Sequence, residues 1–273
     1  MSAEPIWRPR GRLLWLEPLL VWLVGALTFV AVPLSLGEIG LSWDALNHHI
    51  YLGWVAESPR FDRDFAAASY QSYQYPYLYW PVYKLALMGA SGAVAGAVLA
   101  LLQSLAIPPV WIIARWCNPG PGVSDICFRV ASVTLAFLGG LTLSLLDSTS
   151  NDLIAATPYV WAVAFALLAM DAQLPERATI FLLLSGIAAG VAVAFKLSNG
   201  PLTLVLPFLW GIGQANVQRA VYNVASAGAA LICSFIIVYA PWGMQLWREF
   251  GNPIYPFHDD FFELLRFLVR GES

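Results

Sequence analysis

The sequence predicts an all-α, polytopic transmembrane helical bundle of about seven spans, with a large extracytoplasmic first loop containing short interfacial helices. Three observations carry that expectation. First, of 273 residues 59% are hydrophobic and only 11% charged, with a mean hydropathy of +0.67, where a soluble domain carries about 25% charged residues. Second, 14 basic and 17 acidic side chains cannot coat a 29.9 kDa particle, so the remaining apolar surface needs lipid. Third, the apolar runs are apolar on every side and rich in Gly and Ala, whereas barrel strands would alternate. The net charge of -3, with no basic stretch interleaved with aromatics, excludes nucleic acid as a partner.

A helix crossing roughly 30 Å of hydrocarbon needs about 20 mostly apolar residues. Runs of that kind fall at about 13–36, 90–114, 128–146, 153–170, 178–195, 200–214 and 221–241. The sixth is short and holds Pro201 and Pro207, which predicts a kinked or partly inserted segment. In the fifth, Gly186 and Gly190 stand four apart, a spacing that lets helices approach closely. The whole chain, 1–273, reads as a single membrane domain without repeats or low-complexity linkers.

Orientation is set by charge. The tail carries Arg8, Arg10 and Arg12, and if it is cytoplasmic then Arg115, Arg129, Arg177 and Arg219 share its side. Twelve of the 17 acids then lie on the other face. The first run is too long for a signal-peptide core and lacks a small-residue cleavage site, so it reads as a retained helix. The expected location is an integral membrane protein, in a bacterial inner (cytoplasmic) membrane, N-terminus inside. Cys117, Cys127 and Cys233 form no CxxC pair and read as reduced structural residues.

Two long polar stretches, the loop 37–89 and the tail 242–273, then fall on the outer face. In the loop, Asp44 and His48 are four apart, so a helix capped by Ser42 or Asp44 places them on one face beside His49. Asp44 reads either as a cap or as a functional acid, and the histidines either as an interfacial pair or as site residues. The Asp-x-x-x-His spacing permits a divalent metal, but two ligands are too few to assign one, and no cofactor is expected. Residues 70–83 hold six Tyr and one Trp, including Tyr75, Tyr77, Tyr79 and Trp80. Such rings form an interfacial belt, and they also stack on sugars.

At the other helix ends, the turn STSND carries Asp147, Asn151 and Asp152, which suit a helix start, though ionisable groups at membrane depth also suggest function. Lys196 ends the fifth run, where it either snorkels or meets an anionic phosphate. After the seventh run, GNPIYPFHDD is turn-rich and carries Asn252 and His258.

In order and context, SWDALNHHIY, YQYPYLYWPVYKL, NDLIAA, GIAAGVAVAFKLSNG and GNPIYPF resemble segments of the glycosyltransferase C superfamily. The likeness is greatest to its bacterial branch of protein mannosyltransferase and aminoarabinose transferase type membrane enzymes, and it extends from about Leu13 to Phe257. The resemblance implies a polyprenyl-phosphate sugar donor and inverting transfer to a lipid, glycan or protein acceptor on the outer face. It implies Asp44 as general base, Asp152 as a second acid, and Lys196 at the donor phosphate. His48, His49 and the Tyr75, Tyr77, Tyr79 and Trp80 aromatics would line the sugar pocket, with Asn252 and His258 in the later loop. Membrane lipids and the polyprenyl-phosphate sugar are the expected partners. Family members usually continue into further helices, so the short chain also implies a partner subunit. A second reading is a non-catalytic membrane subunit or truncated module that binds a partner complex or lipid. A transporter is disfavoured, because no Asp, Glu, Lys or Arg sits at the centre of a run.

Overall fold

The computed structural model describes residues 13–64, 66–172, 174–214 and 216–270. Arg8, Arg10 and Arg12, on which the expected orientation leans, lie outside the described residues. The described chain is dominated by helices, with one four-residue extended segment, Ala67–Tyr70.

Helix α1 spans Leu13–Leu36. A π-helical turn, Ala45–His49, leads into α2 (Ile50–Val55), and α3 spans Trp80–Leu87. Helix α4 (Gly92–Gln103) and α5 (Ile107–Cys117) join through a 3-10 turn, Ser104–Ala106. Next come α6 (Val123–Phe137), α7 (Gly140–Leu146), α8 (Asp152–Asp171) and α9 (Pro175–Phe195). Two short helices, α10 (Gly200–Thr203) and α11 (Leu206–Gly211), precede α12 (Val217–Phe250) and α13 (Asp259–Arg270).

Among the described residues, five helical segments are long and apolar enough to cross a membrane, and a sixth counts if the bent pair α6 and α7 is one span. That pair bends by 72° at Leu138–Gly139, where a glycine pair interrupts the run expected to be continuous over 128–146. The run at 200–214 is broken into α10 and α11, as its two prolines suggested. Helix α12 continues past Pro241, nine residues beyond the expected end at 241. Trp242 and Leu246 are fully buried in an aromatic-rich cluster there, and that packing outweighs the hydrogen bond lost to proline.

Helices α8, α9 and α12 form the centre. Ser185 Oγ donates to the Ala162 carbonyl at 2.7 Å and accepts from Trp210 Nε1 at 2.9 Å, tying α8, α9 and α11 together. A Cβ at Gly186 would overlap the Ala227 carbonyl, and one at Gly190 would overlap Ser234 Oγ and the Leu231 carbonyl. The two glycines therefore set the contact between α9 and α12, as the small-residue spacing predicts. On the other flank α1 packs against α4 and α5 around Phe29, Ile107, Trp111 and Phe137. Near the start of α1, Glu17 pairs with Arg115 and lies 3.8 Å from the buried Arg129.

Candidate functional site

The first loop supplies the site through its π turn. Ser42 Oγ accepts the Ala45 N–H at 3.2 Å and starts the turn, so Ser42 rather than Asp44 acts as the cap. A π turn closes i to i+5 and holds an extra residue, which stacks both His48 and His49 on the face below Asp44. Both imidazoles are buried, their rings 4.4 Å apart and edge to face. His48 Nδ1 lies 3.8 Å from Asp44 Oδ1 and has no hydrogen-bond partner among the described residues, while Asp44 itself is 53% exposed. The ring of Tyr79, from the residue preceding α3, stacks on His49 at 4.7 Å.

The turn between α7 and α8 meets this loop. His49 Nδ1 is 2.7 Å from Thr149 Oγ1, and the Tyr79 hydroxyl is hydrogen-bonded to the buried Asn151. Gly40 donates its N–H to the Asp147 carbonyl and, at 3.0 Å, to Asp147 Oδ1. Asp152 opens α8, where one carboxylate oxygen accepts from Ser150 Oγ at 2.8 Å and the other pairs with Lys196, which follows α9. Asp152 and Lys196 keep 52% and 38% of their side-chain surface open, so the ion pair faces solvent beside the buried histidines.

Electrostatics bind the cluster together. Burial pushes the His48 imidazole below the ordinary histidine range; Asp44 and Asp152 oppose this and Lys196 adds to it. Burial, then the neighbouring His48, lowers His49 to about 4, so both rings are neutral at pH 7. Burial, reinforced by the Asp152 carboxylate, raises the Tyr79 phenol far above its usual range despite the Asn151 hydrogen bond. The result is a neutral, buried aromatic floor with an open carboxylate, Asp44, and an open ion pair, Asp152–Lys196, at its edge. No group of three or more potential metal ligands occurs among the described residues.

The structure thus brings Asp44, His48, His49, Tyr79, Asp152 and Lys196 together from three separate stretches of chain. Tyr75 and Tyr77 sit apart: Tyr75 stacks on Phe195 and Tyr239, its hydroxyl reaches the Val238 carbonyl at 3.4 Å, and burial pushes its phenol up to about 12. Much of the aromatic run is therefore packed against α9 and α12. Trp80 donates to Glu57 at 2.7 Å in a surface group completed by the Glu57–Lys84 ion pair. Asn252 is fully buried and braces its own turn, donating to the Phe257 carbonyl and to Asp259 Oδ1 and accepting from the Ile254 N–H. His258 is exposed at a left-handed φ of 54°. Among the described residues, Tyr75, Tyr77, Trp80, Asn252 and His258 make no polar or ring contact with Asp44, Asp152 or Lys196. Thr149 and Ser150, which hold His49 and Asp152, were not singled out from sequence; the signal was their hydroxyls beside Asn151 and Asp152 in STSND.

No protein-family model matches the chain, and no curated protein or solved structure is similar to it.

Proposed function

We propose that the chain is a membrane glycosyltransferase that moves a sugar from a polyprenyl-phosphate donor to a lipid, glycan or protein acceptor on the outer face of a bacterial inner membrane. In this reading the chain passes the membrane seven times with its N-terminus inside, and the Asp44–Lys196 cluster faces out. Asp44 takes the proton from the acceptor hydroxyl as that oxygen attacks the anomeric carbon. The bond from that carbon to the phosphate oxygen breaks with inversion, and its electron pair leaves on the phosphate, where Lys196 stabilises the added charge. Asp152 holds Lys196 in place until the donor phosphate competes for it. His48, His49 and Tyr79 supply a neutral face for the sugar ring.

The single observation that supports this reading most is the gathering of one open carboxylate and one open ammonium beside a buried His–His–Tyr stack, from segments more than 100 residues apart. A transfer assay with a radiolabelled polyprenyl-phosphate sugar, run in native membranes on wild type and Asp44→Asn, tests it. Transfer by wild type and its loss in the variant at equal expression is expected; transfer unaffected by the substitution removes Asp44 as base. A second reading, a non-catalytic membrane subunit, is favoured by the Asp152–Lys196 pair, because each partner already satisfies the other. In that case neither Asp44→Asn nor Lys196→Met alters the activity of the complex it belongs to.

A further inference from the structure

At the end of the bundle opposite the Asp44–Lys196 cluster, α8 and α11 finish and α9 and α12 begin around a cavity of about 200 Å3. Its buried Leu182 and Trp210 are apolar, whereas Gln214, Arg219 and Asn223 bring amide and guanidinium donors to its wall. Among the described residues no carboxylate lines it; Asp171, between the lining residues Met170 and Ala172, is not itself part of the lining. Among the described residues Arg219 has no ion-pair partner, and its guanidinium lies 5.6 Å from the ring of Tyr222. Asn223 spends its amide on the Trp210 carbonyl at 3.5 Å, a length that leaves it easily drawn to a better acceptor. Val217 and Val221, on the same first turns of α12, are 79% and 61% exposed, as residues against lipid chains are.

A guanidinium with no acid partner among the described residues, beside neutral donors and an apolar wall in the first turns of a membrane-crossing helix, suits a phosphate. Arginine offers a planar fork of donors that pairs with phosphate bidentately, and basic pockets between spans bind lipid headgroups. We propose that this cavity binds the phosphate of an anionic glycerophospholipid, held by Arg219 with Asn223 and Gln214, its acyl chains running along Val217 and Val221. The site uses no residue of the transfer reaction and stands whether or not that reaction occurs.

Native mass spectrometry of the full chain, titrated with phosphatidylglycerol or phosphatidylcholine, tests the assignment. Retention of phosphatidylglycerol about tenfold above phosphatidylcholine is expected, because both lipids carry the phosphodiester but the choline cation repels Arg219 and offsets its attraction to the phosphate. Arg219→Gln is expected to abolish the preference. Ala169→Leu, which narrows the cavity without changing charge, is expected to weaken phosphatidylglycerol binding independently. Glycerol 3-phosphate serves as competitor: failure to displace the lipid identifies a membrane ligand, and displacement identifies a phosphate site open to soluble esters. Equal retention of the two lipids, or a preference that survives in both variants, would overturn the proposal.

Discussion

Asp152 and Lys196 illustrate how exposure limits what a charge pair does for stability. With 52% and 38% of the two side chains open, the pair is worth about 0.2–1 kcal/mol. Asp152→Asn and Lys196→Met are each expected to lower unfolding free energy by less than about 1 kcal/mol, and the double variant by no more than the larger single value. Denaturant unfolding in micelles, read as a double-mutant cycle, measures this; a single-variant loss above about 3 kcal/mol would make the pair a structural anchor. His49 behaves differently because it is buried. Its pKa falls from 6.5 to about 4 on folding, so between those values the unfolded chain binds a proton that the native ring refuses. Stability is therefore full above pH 6.5, declines as pH drops towards 4, and levels off below it. The whole decline is on the order of 3 kcal/mol. His49→Gln is expected to flatten that slope in pH-dependent melting curves; an unchanged slope would assign the titration to another group.

At the scale of elements, the α9–α12 contact is the most demanding. Side chains at Gly186 and Gly190 would enter the backbone of α12, so Gly190→Leu forces the helices apart and is expected to cost about 1–3 kcal/mol or more. Gly228, with open space around its Cβ position, is the control: Gly228→Ala is expected to be neutral or slightly stabilising in the same melting experiment. These elements also show what sequence can and cannot convey. Apolar runs located the long helices, since lipid demands continuous hydropathy whatever the tertiary contacts. The limits of α12 were less legible, because the packing of Trp242 and Leu246 that carries it through Pro241 comes from residues far away in the chain. The π turn at Ala45–His49 left no mark in ALNHH, and with it went the stacking of both histidines under Asp44. Asp44, Asp152 and Lys196 were visible as rare ionisable groups at helix ends, whereas Thr149 and Ser150 became site residues only once the STSND turn met the first loop.

For the whole molecule, the direction of α12 decides the path of the chain. Gly186 lies beside Ala227 and Gly190 beside Leu231, so α9 and α12 run the same way although they are successive long helices. The chain between them must therefore return. Asn199 donates to the Ala155 and Ala192 carbonyls near one end of α8 and α9, and Trp210 packs with Ala166 and Leu182 near the other. The segment 197–211 makes that journey as a 3-10 turn, Leu197–Asn199, followed by the two short helices α10 and α11. Thr149 and Ser150, which meet the first loop and Asp152, precede α8, so the first loop lies at the end of α8 opposite Asp171, where α9 and α12 begin; the proposed seven-span reading counts the 197–211 segment and the bent pair α6–α7 as one crossing each. Single cysteines at Asp62, Asp260, Glu176 and Asn216, with Cys117, Cys127 and Cys233 replaced by Ser, test this with a membrane-impermeant maleimide. In right-side-out vesicles Asp62 and Asp260 are expected to label together while Glu176 and Asn216 stay protected, and inverted vesicles are expected to reverse the pattern. Labelling of Asn216 together with Asp62 would mean that the 197–211 segment is re-entrant and that α12 starts on the face where α9 ends.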